Sequence, residues 1–313
     1  MLQDKRLIAL CTSRVYDPQI HSFIVNLNER LKAAGYAMLI FTINSDIYWE
    51  EDRVATEKYI FELIPYEHID AVIIMDEKIK SHKIANKIIK SAEDYDIPVI
   101  VADGTYERVS CITFDYEDGF EQVVRHMIEH HRVRRPHMMA GHPNNKFSDS
   151  RIDVFKKVLS DNGIAFDDTM VSYGHFWADP CRTATRALLD RGELPDAIIC
   201  ANDAMALAAV RMLQMNGYSV PEDVIVTGFD ATDNARHYCP ELSTVGRPLF
   251  EAGYQSCEVL LQKAEGQDPP KTTKLEAAPV FTESCGCPAK FTEDIRAYKK
   301  VVHGTMDSTR ADI

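Results

Sequence analysis

Apolar positions along the chain fall into two alternating rhythms. Short runs rich in β-branched residues are separated by amphipathic stretches of about 12–15 residues, the signature of βαβ units around a parallel sheet. Residues 7–11 predict a first strand. Residues 21–34 predict a helix with Phe23, Leu27 and Leu31 on one face, closed by Gly35. Strands follow at 36–43, 71–75 and 98–102, with helical patterns at 49–63 and around Ile84, Ile88 and Ile89 up to Asp94. After a short strand at 112–114 the alternation restarts. It predicts helices at 116–130, 148–161, 180–191 and 204–216, and strands at 137–140, 169–172, 197–201 and 224–229. The expected fold class is α/β: two doubly wound parallel-sheet lobes, each built from its own run of βα units. Beyond Pro288, Ile295, Tyr298, Val301 and Val302 keep helical spacing as far as Gly304. A helix there has an apolar side that needs covering, which points to a homodimer or a continuing chain.

The 313 residues suffice for about two domains. Apolar residues make up 45% and charged residues 27%, which excludes a disordered or collagen-like chain. The net charge of −13 repels a phosphate backbone, and the basic stretch Arg132-Val133-Arg134-Arg135 is short, without an aromatic for stacking, so direct nucleic-acid contact is not expected. The longest apolar runs, 36–41, 71–75 and 97–102, fall well short of the roughly 18 residues of a membrane span. The first six residues carry no secretory pattern, and the eight cysteines are scattered. The expectation is a cytoplasmic protein with reduced thiols, several of them (Cys11, Cys200) small buried hydrophobes.

No phosphate loop, dinucleotide turn, nucleophile elbow or H-E-x-x-H motif occurs, so no catalytic residue and no cofactor is expected. Cys285-Gly286-Cys287 offers two thiolates, too few for zinc, and adjacent His130 and His131 point apart on a helix and read as a solvated helix end; no metal site is expected. What remains is the rule that ligands of open α/β sheets sit at the carboxyl ends of the strands. Those ends carry Ser13 with Tyr16 and Gln19, Asp103, Asn202 with Asp203, and Asp230; Phe176 and Trp177 follow another strand. Phe147 and Arg151 open the helix after the loop 142–147. Carboxylates and amides suit hydroxyl pairs, a guanidinium gives a rigid fork of donors, and an aromatic face stacks on a sugar or base. Each residue also has a plainer role: Asp203 and Asp115 as helix caps, Arg151 as a surface residue, Trp177 as packing with Phe176 left to stack.

The segment from Leu194 through Cys200-Ala201-Asn202-Asp203 to Ala208, then Val220-Pro221-Glu222-Asp223-Val224 leading to Gly228-Phe229-Asp230, then 240–245, resembles the effector-binding domain of the LacI/GalR family, itself similar to periplasmic sugar-binding proteins. The likeness runs from about Lys5 to Cys285. It implies two lobes joined by three crossings with ligand in the cleft: 1–112 with 247–275, and 114–244 with 278–285. It also implies ligand contacts at Ser13, Tyr16, Gln19, Asp103, Arg151, Phe176, Asn202 and Asp230, with a sugar- or nucleoside-like ligand. Val154 stands where the family's Arg-x-x-Gly-aromatic has glycine, and Gln19 and Ile20 stand where it often has aromatics. Family repressors carry a helix-turn-helix before the first strand, and here about six residues precede it. The ending Phe281-Thr282-Glu283-Ser284-Cys285-Gly286-Cys287 resembles sensors fused upstream of an output module. The expectation is a sensor of a small polar ligand whose residues 286–313 form a linker helix toward such a module, a diguanylate cyclase foremost. The alternative is the effector-binding part of a LacI/GalR-like or AraC-type transcription regulator.

Overall fold

A computed structural model describes residues 6–44, 57–192 and 194–288. These residues form two compact units: 6–114 with 248–275, and 115–247 with 276–288. In chain order the elements are β1 (Arg6–Ser13), α1 (Pro18–Ala33), β2 (Tyr36–Ile43), β3 (Ala71–Met75), α2 (Asp76–Ile79), α3 (His82–Glu93), β4 (Val99–Ala102) and β5 (Ser110–Asp115). Then come α4 (Tyr116–Arg125), β6 (Pro136–Ala140), α5 (Lys146–Asp161), β7 (Val171–Tyr173), α6 (Ala178–Asp190), β8 (Ala197–Cys200), α7 (Asp203–Met215), β9 (Ile225–Thr227) and α8 (Asp233–His237). The last are β10 (Thr244–Gly246), α9 (Leu249–Ala264), β11 (Thr272–Glu276) and β12 (Ala278–Val280).

The first unit is a six-stranded sheet in the order β11-β5-β4-β3-β1-β2. Strands β2, β1, β3, β4 and β5 pair in parallel. β1 from Leu7 onward, β3 and β4 are buried along their whole length, as expected of parallel strands covered on both faces. α1 begins at Pro18, three residues before the predicted start. Asp17 accepts a hydrogen bond from the Gln19 backbone N–H, and proline at the first position has no amide to waste. α1 buries Phe23, Leu27 and Leu31 against α9, a helix the sequence reading left unassigned. Asn26, buried on that face, donates to the Phe250 carbonyl at 2.7 Å, and the Arg30 guanidinium stacks over Tyr254. The pattern 49–63 reduces to a short 3-10 helix, Lys58–Leu63, in its described part, and 45–56 lie outside the described residues. So does the helix expected at 291–302.

The second unit carries a four-stranded parallel sheet, β7-β6-β8-β9, and an antiparallel pair, β10-β12. Bridges Thr227–Ser243 and Asp230–Gly246 tie that pair to the edge of the sheet. One face of the sheet packs Phe120, Phe155, Phe229 and Val245, and the other Met205, Val210 and Leu213. The predicted helix 116–130 is α-helical to Arg125 and closes in one π turn, His126–His130. The segment 281–285 is locked by hydroxyls. Ser284 Oγ donates to the Val226 carbonyl at 2.6 Å and accepts from the Ser243 N–H. Thr282 Oγ1 donates to the Glu241 carbonyl, and Glu283 accepts from the Glu241 N–H. Among the described residues, no helix is long and apolar enough to cross a membrane.

In the first unit α9 runs close against α1 at Gly253, where an added Cβ would lie 2.6 Å from the backbone oxygen of Phe23. A backbone atom cannot swing aside, so the helices must part. Gly253→Ala is expected to lower unfolding free energy by about 1–3 kcal/mol in urea titration. An unchanged midpoint would contradict this packing.

Candidate functional site

Strand ends gather most of the polar candidates, and each unit presents its own set. In the second unit, α5 is capped by Asn145, which accepts from the Phe147 and Ser148 amides. The helix therefore starts at Lys146, and Arg151 stands in its second turn rather than its first. Arg151 is buried. Its guanidinium carbon lies 4.3 Å from the centroid of the Phe229 ring, and it donates to the Phe147 carbonyl at 3.3 Å. Tyr116 packs on both Phe147 and Phe229, edge-on to the first. Next to Phe229, Asp230 pairs with Arg247, at 3.2 Å. Arg247 has a nearly buried side chain, and sequence reasoning did not single it out. The result is two guanidiniums, a carboxylate and three rings around the end of β9.

Asn202, not Asp203, is the cap of α7: its side chain accepts from the Met205 amide at 2.9 Å and donates to the Phe176 carbonyl at 3.1 Å. Phe176 is half-buried beside Gly141 and His142, and Trp177 is exposed. His142 and His175 face each other with Nδ1 atoms 3.0 Å apart. Asp203 is fully buried inside α7. It accepts from the Thr232 N–H at 2.7 Å and from Thr244 Oγ1 at 2.5 Å, binding the stretch after β9 and the start of β10 to the helix.

In the first unit, Ser13 is buried and donates to the Lys78 carbonyl at 2.8 Å, Tyr16 is largely exposed, and Gln19 lies in the first turn of α1. Asp103, just past β4, donates its backbone N–H to the Ile112 carbonyl. Several residues there escaped the sequence reading. Buried Asp76 accepts from the Tyr106 hydroxyl at 2.6 Å, and that hydroxyl also lies 2.9 Å from His82 Nδ1. Lys78 is buried with its ammonium 3.3 Å from Glu77. The available signal was the position of Asp76-Glu77-Lys78 directly after the wholly apolar β3. Backbone geometry marks the same ends: Asp103, His175, Phe176, Asp230 and Ala231 all have positive φ, at 61°, 54°, 64°, 118° and 49°. Such non-glycine conformations concentrate where function over-determines the backbone.

One cluster in the second unit changes the expectation of no metal site. His126, His131, Cys285 and Cys287 bring their ligating atoms within 4.8 Å of one another. His131 Nε2 lies 3.1 Å from His126 Nε2, so the thiols of the Cys-Gly-Cys turn do not stand alone. Burial and the neighbouring His131 and His130 push the His126 imidazole down to about 4.

Residues 124–285 match the periplasmic binding protein-like domain. The HTH-type transcriptional regulator CelR of Thermobifida fusca is 35% identical over 257 residues, spanning 80% of this chain and 71% of CelR. The HTH-type transcriptional repressor PurR of Vibrio atlanticus (strain LGP32) is 27% identical over 238 residues, 75% of this chain and 67% of that repressor. Among solved structures, the CelR–cellobiose complex aligns with a TM-score of 0.71 at 27% identity, covering 90% of this chain and 85% of that one. The lac repressor dimer bound to operator and the anti-inducer ONPF aligns with a TM-score of 0.72, covering 90% of this chain and 94% of that one; at 21% identity it shows the shared fold.

Burial, helped by the charge of Asp230, pushes the Asp203 carboxyl from 3.8 up to about 7. The folded chain then keeps a proton that the unfolded chain releases, so this group's contribution to stability is full below about pH 4 and lost as pH rises to about 7. His137, pushed down to about 4 by burial, acts in the opposite sense over an overlapping range. The difference between wild type and Asp203→Asn isolates the carboxyl. Urea unfolding is expected to move in the variant's favour between about pH 4.5 and about pH 7.5. A pH-independent difference would contradict the assignment.

Proposed function

Because the chain belongs to the LacI/GalR-type family of periplasmic binding protein-like effector-binding domains, we propose that it binds a small polyhydroxylated ligand and serves as the effector-binding part of a transcription regulator. The observation that carries this reading is the group at the end of β9: Arg151 over the Phe229 ring, beside the Asp230–Arg247 pair. A fixed guanidinium and a carboxylate offer donors and acceptors at set angles to vicinal hydroxyls, and the rings of Tyr116 and Phe147 offer apolar faces to a sugar ring. The proposed contacts in this unit are Phe147, Arg151, Phe176, Trp177, Asn202 and Asp230; in the other they are Ser13, Tyr16, Gln19 and Asp103.

The domain performs no chemistry of its own, in keeping with relatives that are transcriptional regulators. A ligand regulates through it only by binding one arrangement of the chain more tightly than another. The output expected first, a diguanylate cyclase, finds no support among these relatives. Their helix-turn-helix type favours the transcription-regulator alternative. A cytoplasmic homodimer belongs to the same reading. The likeness to CelR, whose complex holds cellobiose, favours a β-linked glucose disaccharide over a purine.

Isothermal calorimetry with cellobiose, related disaccharides and purine bases tests the proposal. A sugar is expected to bind, and Arg151→Ala and Asp230→Asn are each expected to weaken it by about 30-fold, equivalent to about 2 kcal/mol for one charged hydrogen bond. Full affinity retained in both variants would discard the site. Binding of purines alone would discard the sugar.

A further inference from the structure

The four residues His126, His131, Cys285 and Cys287 have no part in the ligand site proposed above, and they bring two imidazole nitrogens and two thiol sulfurs within 4.8 Å of one another. His126 Nε2 lies 3.3 Å from Cys287 Sγ and 3.1 Å from His131 Nε2, and His131 Nε2 lies 3.5 Å from Cys287 Sγ. Around tetrahedral zinc, bond lengths near 2.0–2.1 Å to nitrogen and 2.3 Å to sulfur set edges of about 3.3 Å for N···N and about 3.5 Å for N···S. The three spacings among His126, His131 and Cys287 match these edges, and Cys285 Sγ lies within 4.8 Å of the other donors.

We propose that this cluster binds one Zn2+ as a structural Cys2His2 site, tying the 285–287 turn to the end of the helix that begins with α4. Two local features build it. Residues five apart stand roughly 140° apart around an α-helix and would not share a metal. Here the helix loosens into the π turn His126–His130, with the His131 N–H on the His126 carbonyl, and the two imidazoles meet. On the other side, Gly286 takes φ 83°, a left-handed conformation that reverses the chain between the two cysteines.

The support around the site is equally specific. Phe281 stacks on the His126 ring, with centroids 3.6 Å apart, and so sets its plane. Thr282, Glu283 and Ser284 spend their side chains on holding the cysteine turn to Glu241, Ser243 and Val226. A turn fixed in this way brings its thiols to the histidines before any ion arrives, as a preorganised metal site requires. All four donors come from protein and include two thiolates, which selects zinc over magnesium or calcium and leaves no open position for catalysis. Binding displaces the two thiol protons, and the imidazoles ligate in the neutral form.

The full chain is purified under reducing conditions, its zinc counted by elemental analysis, then removed with a chelator and restored as Zn2+ or Co2+ alone. About one equivalent per chain is expected. The Co2+ form is expected to show tetrahedral ligand-field bands with a sulfur-to-cobalt charge-transfer band. Melting temperature is expected to fall on chelation and recover with Zn2+. Cys287→Ser and His131→Asn, at partly exposed positions that a fold tolerates, are expected to weaken zinc binding by more than the roughly 10–100-fold typical of supporting residues. Cys239→Ser and His130→Gln serve as controls and are expected to leave it unchanged. Three results would overturn the proposal: zinc no higher than in Cys287→Ser, equal affinity in both ligand variants, or a Cys285–Cys287 disulfide whose reduction restores no metal binding.

Discussion

A parallel strand covered on both faces has room for polar groups only where it stops. In this chain β1, β3, β4, β6 and β8 are apolar and buried almost from end to end, so hydroxyls, carboxylates and guanidiniums are displaced to their termini. The sheets thereby sort the sequence by chemistry. Within each sheet these groups collect at the carboxyl ends of the strands, and in the second unit α5 and α7, capped by Asn145 and Asn202, begin there. Arg151, Phe229, Asp230 and Arg247 are neighbours for this reason although they span nearly a hundred positions of sequence.

That sorting explains how much was legible beforehand. The short, partly exposed β11 and β12 and the three-residue β10 go unassigned, whereas the fold class and the strands from β1 to β9 follow from hydrophobic period, since the period encodes burial directly. What it does not encode is pairing between distant segments. The helical spacing of α1 is read directly, but the apolar face of α9 (Leu249, Ala252, Cys257, Leu260) goes unassigned, and no local pattern shows that the two helices pack together. Asp203 looked like a cap because it precedes a helix. The cap is Asn202, one residue earlier, and Asp203 is turned inward to hold Thr232 and Thr244. Arg247 and the Asp76–Tyr106 contact depend on chain segments that no local window brings together.

The histidine and cysteine cluster shows the same limit more sharply. Counted along the chain, Cys285 and Cys287 are a lone pair, and His131 lies 156 residues from Cys287. The five-residue step from His126 to His131 was visible, but an α-helix would have sent the two rings apart. A single extra residue in one turn reverses that conclusion, and nothing in the hydrophobic pattern signals it. The run 281–287, carried in the sequence reading only as a likeness, is in the structure a set of specific anchors, each side chain with its own partner.

The interleaving of the two units also governs the order in which the chain can fold as it is made. The first unit emerges first, yet its α1 face, with Phe23 and Leu27, stays uncovered until Leu249–Ala264 has been synthesised. Most of the second unit is one uninterrupted stretch, 115–247, and can assemble while the earlier one is still waiting. The ribosome thus delivers α1 more than two hundred residues before the helix that covers it. Throughout that interval an exposed aliphatic stripe on a nascent helix is the surface a chaperone would be called on to shield.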